Sequence, residues 1–380
     1  MIGDLNGIRR RRVIGRWGLA VGSVVLSLLA IELAFRVWVQ PQETLLVKDP
    51  LVGQRYRSGY QARYYVDESG RAIDLRFNQD GFRGPDRPRE KSPDVSRVAI
   101  LGDSFIAGIA VDESETLVSR LGRALQDVES ARRWECFNFG VSGNGTGQSL
   151  LTWRNIAKRY APDVVILCFY NGNDLADNHP SISSAHRPTF DIGVNGDLEV
   201  HPMSPTWTRL SRWLSDHSLF YEWQKNKMRV VRDRMRQTLG IVPPGMHIFD
   251  SRPKAPFDEA WLVTERLIVQ LAQEVQATGA EFLLVSIPCH EQLDDAAWRE
   301  LLVFAGSDAE RFDRSFPETK LGSLCSKHEI RFLSLRGAMD RGAKSGEVFL
   351  PNRGHWTALG HQVAAEAIEH ALKPERLHAN

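Results

Sequence analysis

From Arg97 onward, short apolar runs alternate with longer stretches in which apolar residues recur every three or four positions. The runs are RVAILGD (97–103), WECFNFG (134–140), DVVILCF (163–169), EFLLVSI (281–287) and IRFLSL (330–335). Each has strand length and little polar interruption, the pattern of a strand buried on both faces. Helical spacing fills 115–128, 147–159, 258–278 and 357–372; in the last, Val363, Ala364, Ile368 and Leu372 share one face. The alternation predicts an α/β domain, a parallel sheet with helices on both sides. Ligands of such sheets bind beyond the C-terminal ends of the strands, so polar residues there carry the functional weight.

Two segments break the pattern. Residues 40–95 read as a stalk and a small β-rich accessory segment, with polar and aromatic residues alternating around the turn Glu68-Ser69-Gly70. Pro85, Pro88 and Pro93 then mark a linker. Residues 178–257 read as an insertion after the third strand. It holds a hairpin signal at Asn195-Gly196 and a basic stretch with Met and Trp, LFYEWQKNKMRVVRDRMRQ. That stretch suits a lid, a partner surface or a membrane-facing helix; the plainest reading is an amphipathic helix packed on the domain.

The N-terminus opens with Arg9 to Arg12 and Arg16, followed by a mostly apolar run from Trp17 to Val39. A helix of ~20 such residues crosses a bilayer. Glu32 interrupts the run near its distal end, where a charge costs less than the ~2.5–3.5 kcal/mol expected at the centre. Trp17 and Trp38 suit the two interfaces, and the arginine excess predicts a cytoplasmic N-terminus. A cleaved signal peptide is disfavoured, because Glu32 or Leu28 occupies the −3 position at the plausible cuts. A twin-arginine export signal is a weaker option. The expected division is a cytoplasmic tail (1–16), a transmembrane anchor (17–39), the stalk and accessory segment (40–95) and an extracytoplasmic domain (96–376), periplasmic or at the cell surface.

Composition narrows the function. The chain has 380 residues, a formal net charge of +1 and 42% hydrophobic residues. Near-zero charge argues against nucleic-acid binding, which needs a basic face. Cys136, Cys168, Cys289 and Cys325 show no Cys-x-x-Cys spacing, so a zinc or redox motif is unsupported. No metal or cofactor is expected.

Candidate chemistry sits at the strand ends. The first run ends in Gly102-Asp103-Ser104, the second in NFGVSGNGTGQ (138–148) and the third in YNGNDLADN (170–178); LPNRGHWTALGH (350–361) precedes the last helix. Acyl transfer needs a nucleophile, a base and donors where the oxyanion develops. Ser104 can be the nucleophile and His355 the base, with the Ser104 and Gly143 amides and the Asn173 side chain as oxyanion hole. Glycine at 143 lets the backbone approach a substrate. Each block alone also suits an ordinary cap or loop; their joint order favours chemistry. Gly140, Gly143 and Gly145 give Gly-x-x-Gly-x-Gly, not the dinucleotide-binding Gly-x-Gly-x-x-Gly.

With these blocks in place, the chain from about 97 to 372 resembles the SGNH (GDSL-type) hydrolases. GDSF (102–105), GVSGNG (140–145), GND (172–174) and NRGHWTALGH (352–361) match the family's four blocks. The resemblance implies a flavodoxin-like three-layer α/β/α fold and esterase, lipase or acetyl-group chemistry through Ser104, Gly143, Asn173 and His355. The anchor and the Gly-His-Trp are similar to those of exopolysaccharide O-acetylation proteins. The expected activity is a serine-dependent ester hydrolase or O-acyl transferase, its substrate an acylated envelope glycan or a lipid ester. No protein partner is indicated.

There is one departure. The family places Asp three residues before the histidine; here that position is Asn352. Asparagine can accept the imidazole Nδ1–H but supplies no countercharge, and the same replacement in a serine protease costs ~10⁴-fold. The readings are a working Ser104–His355 dyad with Asn352 as orienter, an acid from elsewhere (Asp340 is nearest upstream), or a weak or inactive polysaccharide-binding module. Asn352→Asp separates them in a p-nitrophenyl acetate assay. If Asn352 faces His355, the substitution raises kcat severalfold or more; unchanged kinetics mean that it does not.

Overall fold

The computed structural model describes residues 3–38, 45–66, 70–128, 132–183, 187–202, 213–214, 217–239, 241–351 and 354–373, with side chains from Arg16 onward except at 222, 226, 229, 230, 233, 234 and 236–238. The chain divides into two compact units. One comprises residues 1–44 and 204–236, the other residues 45–203 and 237–380.

The second unit is built on a five-stranded parallel sheet. In chain order its strands are β5 (Val95–Gly102), β6 (Arg133–Gly140), β7 (Val164–Tyr170), β10 (Glu281–Ile287) and β11 (Arg331–Ser334), arranged β11-β10-β7-β5-β6. These coincide with the five apolar runs. All eight residues of β5 are buried, as its central place requires. Val98 and Ile100 pack with Leu117, Leu121, Met339 and Ile368, from helices 117–128, 336–342 and 358–372. Ala99 and Leu101 face the other way, towards Leu150, Leu267, Leu271 and Leu321 of helices 146–155, 257–276 and 316–327. The result is the expected three-layer α/β/α arrangement. Each large aliphatic side chain buried this way contributes about 1.5–3 kcal/mol.

Register aligns the strand ends. Gly102 of β5 pairs with Gly140 of β6, and Leu101 with Leu167 of β7. β5 and β6 end at one level and β7 runs on to Tyr170, so the loops after all three leave the same edge of the sheet. Gly140 is required by this crowding. A Cβ there would lie 2.6 Å from Ile106 Cβ and collide with the Ala107 amide nitrogen.

Three two-stranded antiparallel pairs complete the unit: β1 (Leu46–Asp49) with β2 (Gly53–Tyr56), β3 (Gln61–Val66) with β4 (Arg71–Arg76), and β8 (Thr189–Ile192) with β9 (Leu198–His201). The last is a hairpin around Asn195-Gly196, with Gly196 at φ 79°. Cys168, Cys289 and Cys325 are buried, Cys136 is half-buried, and none is paired.

The first unit contains a helix from Gly3 to Trp38. Its segment Arg16–Trp38 has 23 residues and contains an 18-residue window of mean hydropathy 2.1, long and apolar enough to cross a membrane. Trp17 and Trp38 are both exposed. Val39, the expected last residue of the anchor, lies outside the described residues. The basic stretch forms a helix, Leu219–Thr238, most of which groups with this N-terminal helix and not with the sheet. That differs from the plainest sequence reading, and Glu32 is the physical reason: it holds the start of this helix.

Gly140→Ala is expected to overpack the turn above β6 and cost about 1–3 kcal/mol, read as a lower denaturant midpoint at unchanged m. An unshifted midpoint would contradict the close approach.

Candidate active site

Ser104 begins a four-residue helix, Ser104–Ala107, at the end of β5. Asp103 caps it, its Oδ1 accepting from Phe105 N at 2.9 Å. Gly108, at φ 60°, closes it by donating to Ser104 O at 2.9 Å. Leucine or alanine could not make this cap, and a residue with a Cβ would strain the closing turn. Ser104 is only half-buried, while Phe105, Ile106 and Ala107 are buried beneath it.

After β6 the chain turns over Gly143, at φ 74°, a conformation that favours glycine. Asn144 N donates to Val141 O at 3.0 Å, and Val141 N to Gly102 O at 3.2 Å, tying this loop to the strand before Ser104. After β7, Asn173 precedes the short helix Asp174–Asn178. Its Nδ2 donates to Asp177 Oδ2 at 2.7 Å, leaving a second N–H on the same nitrogen. The three predicted oxyanion residues therefore follow β6, β5 and β7, neighbours about 4.8 Å apart in the sheet.

His355 comes from a loop closed by a bridge between Phe349 and Trp356 and by Leu350 N donating to His355 O at 2.8 Å. Thr357 ends the loop and caps the last helix, accepting from Gly360 N at 3.2 Å. The imidazole lies 5.8 Å, centroid to centroid, from the ring of Phe105, the residue after Ser104. Phe105 also packs on Tyr170 at 4.3 Å and on Trp356 at 4.9 Å. One aromatic side chain thus joins the serine, the end of β7 and the histidine loop. A cleft of ≈ 590 Å³ opens beside this loop, walled by His290, Leu293, Glu347, Phe349 and Leu350. Asn352 lies outside the described residues, and Asp340 is exposed on helix 336–342.

Other residues hold these groups, and their spacing along the chain did not announce it. Arg187, from the insertion, pairs with Asp177 Oδ1 at 3.0 Å and donates to the carbonyl of Gly143. One guanidinium therefore steadies Gly143 directly and Asn173 through Asp177. From β2, Gln54 Nε2 donates to Ser142 O at 2.6 Å, and the Tyr56 hydroxyl accepts from Ser142 N at 3.2 Å. Arg83, buried beside the turn that carries Ser104, donates to the carbonyls of Gly108 and Val111. Gly245 packs against Gly172 O so closely that a Cβ would collide with it. The only sequence cue among these is the four-residue spacing of Asn173 and Asp177, which suits a helix cap equally well.

Three carboxylates gather under the site. Burial pushes Asp103 from its ordinary 3.8 to about 7, with a further rise from Asp177. Burial also raises Asp174 well above the usual range, with Asp103 and Asp177 adding to it. Asp177 is raised by burial and partly offset by Arg187 and Asn173. Burial takes His361, packed on Trp356, down to about 3, so it stays neutral.

Residues 100–306 match the model of the GDSL-like lipase/acylhydrolase family. The match contains Ser104, Gly143 and Asn173 and ends before His355. The structure is similar to a lipase/acylhydrolase from Enterococcus faecalis (13% identity, TM-score 0.39, 74% of this chain and 96% of that one). It is also similar to a catalytic mutant of the acetylxylan esterase Axe2 from Geobacillus stearothermophilus (13% identity, TM-score 0.41, 75% and 97%). A third similar structure is LAE5, an alpha/beta hydrolase enzyme from the metagenome of Lake Arreo (18% identity, TM-score 0.38, 73% and 94%). No curated protein matches the chain.

Asp103→Asn keeps the cap acceptor and removes the buried charge. A carboxyl whose folded pKa is raised contributes stability below its free pKa and loses it as pH rises through the folded value. Wild-type melting temperature should therefore carry a decline between about pH 4 and 7 that Asp103→Asn reduces. Parallel melting profiles for the two proteins would contradict this. Arg187→Ala should lower kcat about tenfold with KM little changed, short of the ~10²–10³ for losing an oxyanion donor outright. An unchanged kcat would remove Arg187 from the site.

Proposed function

Because this chain belongs to the GDSL-like lipase/acylhydrolase family and is an ester hydrolase, we propose that it works through an acyl-enzyme on Ser104. The observation that best supports this reading is that Ser104, the positive-φ Gly143 and Asn173 follow the same ends of three neighbouring parallel strands, β5, β6 and β7. In the first half-reaction Ser104 Oγ attacks the ester carbonyl carbon while His355 takes the hydroxyl proton. The carbonyl oxygen becomes an oxyanion, facing the Ser104 and Gly143 amides and the free N–H of Asn173 Nδ2. Collapse breaks the ester bond, and His355 returns the proton to the departing alcohol. In the second half-reaction His355 deprotonates water, which releases the carboxylic acid, or a sugar hydroxyl, which receives the acyl group as a new ester.

The role proposed for Asn352 is to accept the Nδ1–H of His355 and hold its tautomer. Without a countercharge the imidazolium of each half-reaction is less stabilised than with aspartate. The substrate class we propose is an acylated envelope glycan or a lipid ester. The apolar N-terminal helix supports it, since a span would keep the enzyme at the membrane surface, with the arginine excess on the cytoplasmic side and the hydrolase domain outside. The cleft beside the histidine loop offers room for the leaving alcohol or an acceptor hydroxyl.

A fluorophosphonate probe should label the wild-type protein on Ser104 and leave Ser104→Ala unlabelled. Ser104→Ala should also lose p-nitrophenyl acetate turnover by ~10³-fold or more with its melting temperature kept. Wild-type turnover in Ser104→Ala would end the acyl-enzyme reading. Product analysis with water alone against added glycan hydroxyls then separates hydrolysis from transfer.

A further inference from the structure

Glu32 stands in the apolar segment Arg16–Trp38, yet it is well partnered. Its carboxylate accepts from Ser218 Oγ at 2.7 Å, Leu219 N at 3.1 Å, Phe220 N at 3.2 Å and Arg36 Nε at 3.0 Å. Two of these donors are the first amides of helix Leu219–Thr238, which its own turns leave unpaired. Glu32 therefore caps that helix from another part of the chain. Arg36 adds a bond to His217 O at 2.7 Å, and Phe35 packs edge-on against Phe220 and Trp223, both at 5.4 Å.

The place of this joint matters. Glu32 is six residues before Trp38, about 9 Å along the helix axis at 1.5 Å per residue. If Arg16–Trp38 spans a bilayer, the second helix starts near its distal boundary. From there it runs about 30 Å. Trp223, Met228, Val231 and Met235 stay exposed, and the last three fall on one face at helical spacing. Lys225 and Arg232, also exposed, share the adjoining face. The helix sequence holds six basic residues (225, 227, 229, 232, 234 and 236) against two acidic ones (222 and 233).

We propose that helix Leu219–Thr238 lies in the membrane interface, its Met228, Val231 and Met235 face in the acyl boundary and its basic flank on anionic lipid headgroups. An exposed apolar face beside lysine and arginine is the pattern of a surface-bound helix. A protein interface fits less well, because lysine is depleted at interface cores. The joint at Glu32 removes most of the entropic cost of docking, since the span already holds the helix at the boundary. The inference rests on the span reading of Arg16–Trp38 and extends it to a second, lipid-dependent contact.

The test uses the full chain in vesicles, with an environment-sensitive dye on Val231→Cys or Met235→Cys and the labelled parent protein as background. In vesicles containing phosphatidylglycerol, brominated acyl chains should quench both dyes. Pure phosphatidylcholine, or high salt, should weaken the quenching. Lys225→Gln and Arg232→Gln should each weaken it about fivefold in equilibrium constant. Dyes that stay water-exposed and unquenched in anionic vesicles would overturn the proposal. So would shielding that grows with protein concentration and ignores brominated lipid, which would mark a second copy as the occupant. Alkaline carbonate extraction separates the two readings: full release from the membrane would sink the span and the interfacial helix together. Retention with unquenched dyes would sink the interfacial helix alone.

Discussion

A parallel sheet must be covered on both faces, and this constraint organises the hydrolase domain. A sheet exposed on one side would leave half of each apolar strand in water. Helices therefore line both faces, and every connection returns to start the next strand in the same direction. The strands all finish at one edge. Because Gly102 and Gly140 share a register, the loops that follow them begin at the same height. Ser104 comes two residues after that level on one strand and Gly143 three residues after it on the next. A slip of one residue in β6 would turn its buried face outward and move Gly143 with it.

At both ends of the sheet the protein places charge where it is costly and then holds it. Arg187 sits between Asp177 and the Gly143 carbonyl, with little of its side chain exposed. Arg83 lies under the turn that carries Ser104. Arg97 is almost wholly buried and binds Glu135 together with the carbonyls of Pro88, Arg89, Glu90 and Tyr160. Buried ions add little net stability when compared with apolar packing, and breaking one partner is costly. What these three provide is position: Arg187 for Gly143 and Asp177, Arg83 for the turn that carries Ser104, and Arg97 for the linker that delivers the accessory strands. The aspartates beneath the site follow from the same burial, which favours their protonated forms.

The N-terminal unit solves a smaller problem of the same kind. A carboxylate in an apolar helix needs donors, and the start of a helix has donors without acceptors. Glu32 and residues 218–220 satisfy each other. The charge that interrupts the apolar run is thus the residue that joins it to the distant helix.

Much of the hydrolase domain was legible along the chain, for reasons of period. Strands such as RVAILGD and DVVILCF are uniformly apolar because both their faces are buried, and glycine at 143 and the Asp103 cap belong to local geometry. The blocks ending in Ser104, Gly143, Asn173 and His355 could be read because each is short and contiguous. Arg187, Arg83, Tyr56 and Gln54 could not. Each reaches a partner 25 or more residues away, Arg187 in addition to its ion pair with Asp177, and a lone arginine, tyrosine or glutamine carries no period that names its partner. The same holds for Glu32, which beside Arg36 binds partners 186 to 188 residues further on. Side-chain period and local backbone preference were enough to set the sheet, the turn at Ser104 and the apolar helix. Which distant groups brace them was decided only when the fold closed, because hydrogen bonds and ion pairs act through space and leave no trace of their geometry in the order of residues.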